Sequence, residues 1–71
     1  MTSFVGWLLA QSKRDDHTGQ LARLAARDPA LPRRSWRLRA FLRWAGTDAT
    51  LREQVKAAHA EWRRAKKAQA A

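Results

Sequence analysis

The chain contains no cysteine, isoleucine or tyrosine, and it has only three glycines and two prolines among its 71 residues. Without cysteine it can form neither a disulfide nor a thiolate metal site, so a hydrophobic core has to stabilise it. This absence is typical of a reducing compartment. No apolar run approaches the roughly 20 residues of a membrane-spanning helix, and the segment 1–13 lacks the basic start of a signal peptide. We therefore expect a cytoplasmic protein.

Acidic residues are also scarce. The chain has six Asp and Glu residues and 15 Lys and Arg residues, which gives a formal net charge of +9. A high net charge can keep a chain unfolded, but the leucine, valine, phenylalanine and tryptophan side chains here recur at helical spacing. A chain of this length buries only about 60% of its unfolded surface, so the sequence predicts one small folded domain.

The spacing of apolar residues predicts an all-α fold, a compact bundle of four short helices. No alternating apolar run of the kind that marks a strand is present. The predicted helices are Phe4–Ser12, Thr18–Arg27, a third from after Ser35 to Ala45, and a fourth from Thr47, Asp48 or Thr50 to beyond Trp62. We expect residues 1–62 to form the domain and residues 63–71 to form a basic, fraying helical tail.

Helix-capping residues and core residues follow from the same pattern. The predicted N-caps are Ser3 or Thr2 for the first helix, Asp15 or Asp16 for the second and Ser35 for the third, with Gly46 ending the third helix. The side chains expected in the core are Phe4, Trp7, Leu8, Leu21, Leu24, Ala25, Leu31, Leu38, Phe41, Leu42, Trp44, Ala45, Leu51, Val55, Ala58 and Trp62.

A set of residues spread over positions 3–62 follows a known family pattern. The set comprises Ser3-Phe4-x-x-Trp7-Leu8-Leu9, Leu21-Ala22, Asp28, Leu31-Pro32, Trp44, Asp48-Ala49 and Trp62. In their order and spacing these residues resemble the YozE family of small bacterial proteins. The resemblance implies a SAM-like helical fold, which serves nucleic acids in some proteins and protein partners in others. The chain differs from that family in its strong basicity, so its charges are the better guide to function.

Basic residues concentrate in two places. Five arginines lie within eleven residues at the third helix and just before it: Arg33, Arg34, Arg37, Arg39 and Arg43. On the fourth helix a basic stripe runs along one side, formed by Arg52, Lys56, His59, Arg63 and Lys67. Cations at a helix N-terminus oppose the helix dipole, and like charges four residues apart repel. Arginine, which outnumbers lysine by 11 to 4, suits bidentate contacts to phosphate. Both concentrations indicate an anionic partner, although a solvated basic face is the simpler alternative.

Trp36 has two interpretations. On a helical wheel it lies opposite the apolar face of the third helix. It is either buried because that helix is wedged between its neighbours, or exposed among the arginines as a stacking surface for a base or an anchor for a protein.

Residue patterns of catalysis are missing from the sequence. His17 and His59 stand alone, no cluster has metal-ligand spacing, and no serine lies in a nucleophile elbow. The three glycines are isolated, so there is no phosphate-binding loop. We expect no catalytic residues, no metal, no cofactor, no small-molecule substrate and no enzymatic activity.

The sequence therefore predicts a non-enzymatic module that binds DNA or RNA. The predicted phosphate-binding residues are Arg33, Arg34, Arg37, Arg39, Arg43, Arg52, Lys56, Arg63 and Lys67. The alternative is a SAM-like protein-interaction domain that binds an acidic partner or a second copy of itself. A third, weaker alternative is attachment to an anionic membrane surface through the fourth helix; an integral membrane protein is not expected.

Overall fold

Four α-helices joined by short connections build the protein in a computed structural model that describes residues 3–35 and 37–70. The helices are α1 (Phe4–Leu9), α2 (His17–Arg27), α3 (Leu38–Ala45) and α4 (Ala49–Ala70). No strand occurs in these two ranges. The Cα radius of gyration of 11.4 Å is close to the roughly 11 Å expected for a folded chain of this length. The predicted compact all-α architecture is confirmed, whereas its SAM-like character stays a prediction.

Three of the helices begin at a side-chain cap. In each case the capping oxygen accepts a hydrogen bond from the backbone N–H three residues later, at 3.1 Å for Ser3, 2.9 Å for Asp16 and 3.0 Å for Asp48. Such a bond satisfies one of the N–H groups that the first turn leaves without a partner. The structure thus selects one residue from each set of alternatives that the sequence left open.

Two helix boundaries differ from the prediction. α1 ends at Leu9 and continues as turns through Lys13. Ser35 is not the N-cap of α3, because that helix begins only at Leu38, after an extended Arg37. The Ser35 hydroxyl instead accepts a hydrogen bond from the Arg37 N–H at 3.3 Å. At the other end Gly46 has a φ of +67°, so it ends α3 as predicted.

An aromatic cluster around Phe4 occupies the centre of the core. The Phe4 ring lies 4.8 Å from Phe41 in an edge-to-face arrangement and 5.6 Å from Trp62, measured between ring centroids. Edge-to-face and tilted rings at such separations are the favoured geometries of aromatic pairs. This cluster joins the N-terminal helix to α3 and to α4.

α4 supplies the surface on which the other helices pack, since α1, α2 and α3 all contact it. Its apolar stripe is confirmed: Val55, Ala58 and Trp62 are buried and Leu51 is partly buried. Its 22 residues span about 33 Å at a rise of 1.5 Å per residue. Residues 63–69 lie beyond the stripe, and most of them are exposed.

Leu24 was expected in the core, and that prediction is wrong because its side chain is 44% exposed. α2 buries Thr18, Gly19, Leu21, Ala22 and Ala25. On a wheel of 100° per residue these five lie within about 160° of one another, and Leu24 lies outside that arc. The buried face of α2 is therefore displaced toward Thr18 and Gly19 relative to the face that the leucine spacing suggested.

His59 was assigned to the basic stripe of α4, and this assignment is also wrong. Its side chain is buried, with 8% exposed. The imidazole lies 5.0 Å from the Phe4 ring and 5.3 Å from the Trp62 ring, between centroids. His59 is one helical turn from Val55, so it belongs to the edge of the apolar face rather than to the charged one.

Candidate nucleic-acid interface

Three shallow grooves run side by side over α3 and the adjacent part of α4. The Leu42 groove is lined by Leu38, Arg39, Leu42, Arg43 and Arg52. The Trp44 groove is lined by Ala30, Pro32, Ala40, Arg43 and Trp44. The Trp62 groove is lined by Arg37, Leu38, His59, Trp62, Arg63 and Lys66. Because neighbouring grooves share Arg43 or Leu38, they form one continuous surface.

Arg39 and Arg43 separate two of these grooves. They lie one helical turn apart on α3, opposite the buried Phe41, and both are exposed. Residues four apart on a helix are neighbours on its surface. We call this pair the arginine ridge; the two side chains were predicted to bind phosphate, and the structure places them together.

Arg52 lies on the same surface and also forms hydrogen bonds that stabilise the fold. Its Nη1 donates hydrogen bonds to the carbonyl oxygens of Leu42 and Gly46, both at 3.1 Å. The Leu42 carbonyl also accepts from the Gly46 N–H at 3.2 Å, and a cation at the C-terminal end of a helix complements the dipole. Arg52 therefore ties the end of α3 to α4 and holds its guanidinium beside the Leu42 groove.

The Trp62 groove contains a cation that sequence reasoning missed. The Nζ of Lys66 lies 4.9 Å from the centroid of the Trp62 ring, a distance at which a cation is attracted to an aromatic face. Lys66 follows Trp62 by four residues, where the apolar stripe would continue, and that spacing was the available signal. Arg63, which was predicted, lines the same groove.

None of the described residues that line the three grooves is acidic. Asp28 accepts from the Trp44 indole N–H at 2.9 Å. Asp48 caps α4, and Glu53 accepts from Lys56 at 3.4 Å. Asp15 is exposed in the turn before α2. Arg39 and Arg43 consequently form no ion pair with any carboxylate in the described part of the chain.

The remaining two carboxylates meet Arg14, which lines none of the three grooves. Arg14 forms ion pairs with Glu61 of α4 and with Asp16. These contacts raise the pKa of Arg14 above its ordinary value, mainly through Glu61. The pKa of Asp16 is lowered, first by the Gly19 N–H and then by Arg14. The charge of Arg14 is therefore paired within the fold.

Four of the predicted phosphate-binding residues lie away from the three grooves. Arg33 and Arg34 are exposed in the turn between α2 and α3. Lys56 pairs with Glu53, and Lys67 is exposed near the end of α4. Trp36, the predicted stacking or anchor residue, lies outside the described residues.

Among the described residues, no group of three or more His, Asp or Glu side chains is placed to hold a metal ion. Within the same part of the chain, no helix combines the length and the apolar character that crossing a bilayer requires.

Comparisons with protein-family models, with curated proteins and with solved structures find no match to this chain. The resemblance to the YozE family accordingly stays a prediction.

Proposed function

We propose that this chain is a non-enzymatic nucleic-acid-binding domain whose interface is the surface formed by α3 and α4. The cations assigned to phosphate are Arg37, Arg39, Arg43, Arg63 and Lys66. One observation carries the proposal: cations from two helices meet on grooves that contain no described carboxylate, although the chain has six. Such a domain would meet its ligand in the cytoplasm.

The charge distribution supports a polyanion rather than a single ion. The cations are spread along three adjoining grooves and do not converge on one point, as they would around a small anion. A surface of one sign also steers a polyanion during association. Contacts of this type position a protein on phosphates without reading sequence.

Salt dependence gives the first measurement. If about five phosphates are neutralised, the logarithm of the binding constant should fall with the logarithm of salt concentration at a slope of roughly −4. Fluorescence anisotropy with labelled oligonucleotides at several salt concentrations measures this slope. A slope near zero would contradict a phosphate-based interface.

The decisive variant reverses the arginine ridge, Arg39→Glu with Arg43→Glu. Five phosphate contacts become three at most, so affinity should fall by at least about a hundredfold at low salt. The matched control is Arg27→Glu with Arg64→Glu, two exposed residues that line none of the three grooves. Both double variants lower the net charge from +9 to +5. Equal losses in the two would show that total charge, and not this surface, governs binding.

The competing function is the binding of an acidic protein or of a second copy of the chain. Light scattering of the purified protein at rising concentration, with the ratio of absorbance at 260 and 280 nm, separates the two functions. A mass that increases in the absence of nucleic acid would favour self-association.

A further inference from the structure

The surface on either side of the arginine ridge is apolar, and this feature is not explained by phosphate binding alone. On one side Leu38 and Leu42, both partly buried, form the floor of the Leu42 groove. On the other side Ala40, Pro32 and Trp44 line the Trp44 groove. Two exposed arginines thus lie between two strips of apolar surface.

Trp44 presents a ring of fixed orientation to its groove. The ring is partly buried against the core, and its indole N–H donates to the Asp28 carboxylate at 2.9 Å. Asp28 in turn accepts from the Ala30 N–H at 2.8 Å, which holds the carboxylate in place. A ring held at one edge can receive a planar group on its accessible side without having to be ordered first.

The Leu42 groove is held in a comparable way. The hydrogen bonds of Arg52 to the carbonyls of Leu42 and Gly46 fix its guanidinium at the edge of the groove. Guanidinium planes stack on bases as well as on aromatic rings. Each groove therefore offers one rigid plane, Trp44 or Arg52, beside an apolar floor.

Single-stranded and double-stranded nucleic acids present different groups to such a surface. A duplex stacks its bases inside and offers phosphates and sugars, which would leave the two apolar strips unfilled. A single strand exposes the faces of its bases together with its phosphates, and proteins that bind it combine a basic track with stacking surfaces.

We propose that the α3–α4 surface binds single-stranded nucleic acid, with phosphates on the arginine ridge and bases in the Leu42 and Trp44 grooves. The inference rests on the proposed nucleic-acid-binding function and names its substrate class. It also accounts for the apolar floor of each groove, which a purely electrostatic interface would not need.

The first test compares one labelled 12-nucleotide sequence as a single strand and as a duplex, in DNA and in RNA, at one salt concentration. Stacking of a base on a protein side chain strengthens binding by about tenfold or more. We therefore expect the single strand to bind at least about tenfold more tightly than the duplex, as measured by anisotropy.

The second test changes the grooves without changing charge. Leu42→Gln and Trp44→Leu should each weaken single-strand binding by about tenfold and leave duplex binding unchanged. Leu24→Gln is the matched control, since Leu24 is exposed on α2 and lines none of the three grooves. If Trp44→Leu fails to give a native circular dichroism spectrum, Ala40→Gln replaces it, because this change fills the Trp44 groove from the α3 surface.

The outcomes separate this inference from the function on which it rests. Duplex binding as tight as single-strand binding would overturn the inference and leave the proposed function standing. Groove variants that behave like Leu24→Gln would do the same. Absence of binding to both forms at low salt would overturn both.

Discussion

Arginines on the α1–α2 side of the bundle and arginines on the α3–α4 side are used differently. Arg14 joins Asp16 and Glu61, and Arg23 donates to the carbonyls of Ser12 and Arg14 at 2.7 and 3.1 Å. Arg14 thus joins the turn between α1 and α2 to α4, and Arg23 joins the same turn to α2. Both guanidinium groups therefore contribute hydrogen bonds to the fold.

On the other side, the arginine ridge has no side-chain hydrogen bond or ion pair within the described part of the chain. Asp28 is hydrogen-bonded to Trp44 and Asp48 caps α4, and neither forms an ion pair with Arg39 or Arg43. The comparison shows that net charge does not identify a binding surface. A cation becomes available to a ligand where the fold places no acceptor near it.

The largest expected effect is a loss of stability at the contact between Gly19 of α2 and the backbone of Arg14 in the preceding turn. A Cβ at Gly19 would lie 1.9 Å from the carbonyl oxygen of Arg14, so Gly19→Ala forces the backbone of the turn to move. Alanine normally stabilises a helix relative to glycine by about 1 kcal/mol. Here we expect a loss of at least about 2 kcal/mol from overpacking, measured by urea denaturation.

Gly46→Ala is the informative comparison for that variant. No atom lies within 4 Å of a Cβ at this position, but φ is +67°, so its cost of roughly 1–2 kcal/mol would come from backbone strain alone. A stable Gly19→Ala protein would contradict the close packing of the turn against α2.

The next effect tests whether Arg52 contributes to the fold as the α1–α2 arginines do. Arg52→Ala removes two hydrogen bonds to carbonyls at the end of α3, and we expect a loss of about 1–2 kcal/mol of unfolding free energy. Arg43→Ala, on the same surface, should change stability by less than about 0.5 kcal/mol. Thermal and urea denaturation of both variants measure the difference. Equal stabilities would mean that Arg52 is no more structural than the ridge.

A smaller effect is expected from the ion pair that joins the α1–α2 turn to α4. Glu61→Gln keeps the size of the side chain and removes its charge, so the pair with Arg14 is weakened. Because both side chains are about one-third exposed, the melting temperature should fall only slightly. Hydrogen exchange should accelerate in residues 10–16 and remain unchanged in α3. Uniform acceleration throughout the chain would show that the pair does not act locally.

The smallest effect is an acid-dependent one at Asp16. The Gly19 N–H and Arg14 lower the pKa of Asp16 in the folded protein, below the ordinary value of about 3.9. The ionised carboxylate therefore stabilises the fold above that pH, and the contribution is lost as pH falls through the folded-state pKa. Asp16→Asn keeps a capping side chain but does not titrate.

The melting temperature of Asp16→Asn should thus be lower than that of the parent protein at pH 7, and the gap should close as pH falls from about 4 toward 2. A gap of constant size across this range would show that ionisation of Asp16 does not contribute to stability.

Local sequence features predicted the elements with a strong periodic signal. The α4 stripe of Leu51, Val55, Ala58 and Trp62 is buried or partly buried as expected. Gly46 also ends α3 as expected. These features follow from spacing along one helix and from backbone conformation, which a sequence displays directly. The burial of Leu24 and His59 was predicted wrongly. Burial depends on which side of α2 or α4 the neighbouring helices cover, and the sequence does not show this directly.

By itself, the amino-acid sequence determined that the chain is helical, basic and without cysteine, because periodicity and composition do not depend on how helices pack. Only the tertiary structure decided which of the cations are paired with carboxylates of the same chain. Glu61 and Arg14 are 47 residues apart in sequence and meet across the bundle, whereas Arg39 and Arg43 form no ion pair with a described carboxylate. A charge is neutralised only when an opposite charge lies close to it in space. Which charges are neutralised therefore depends on how α4 packs against the other helices.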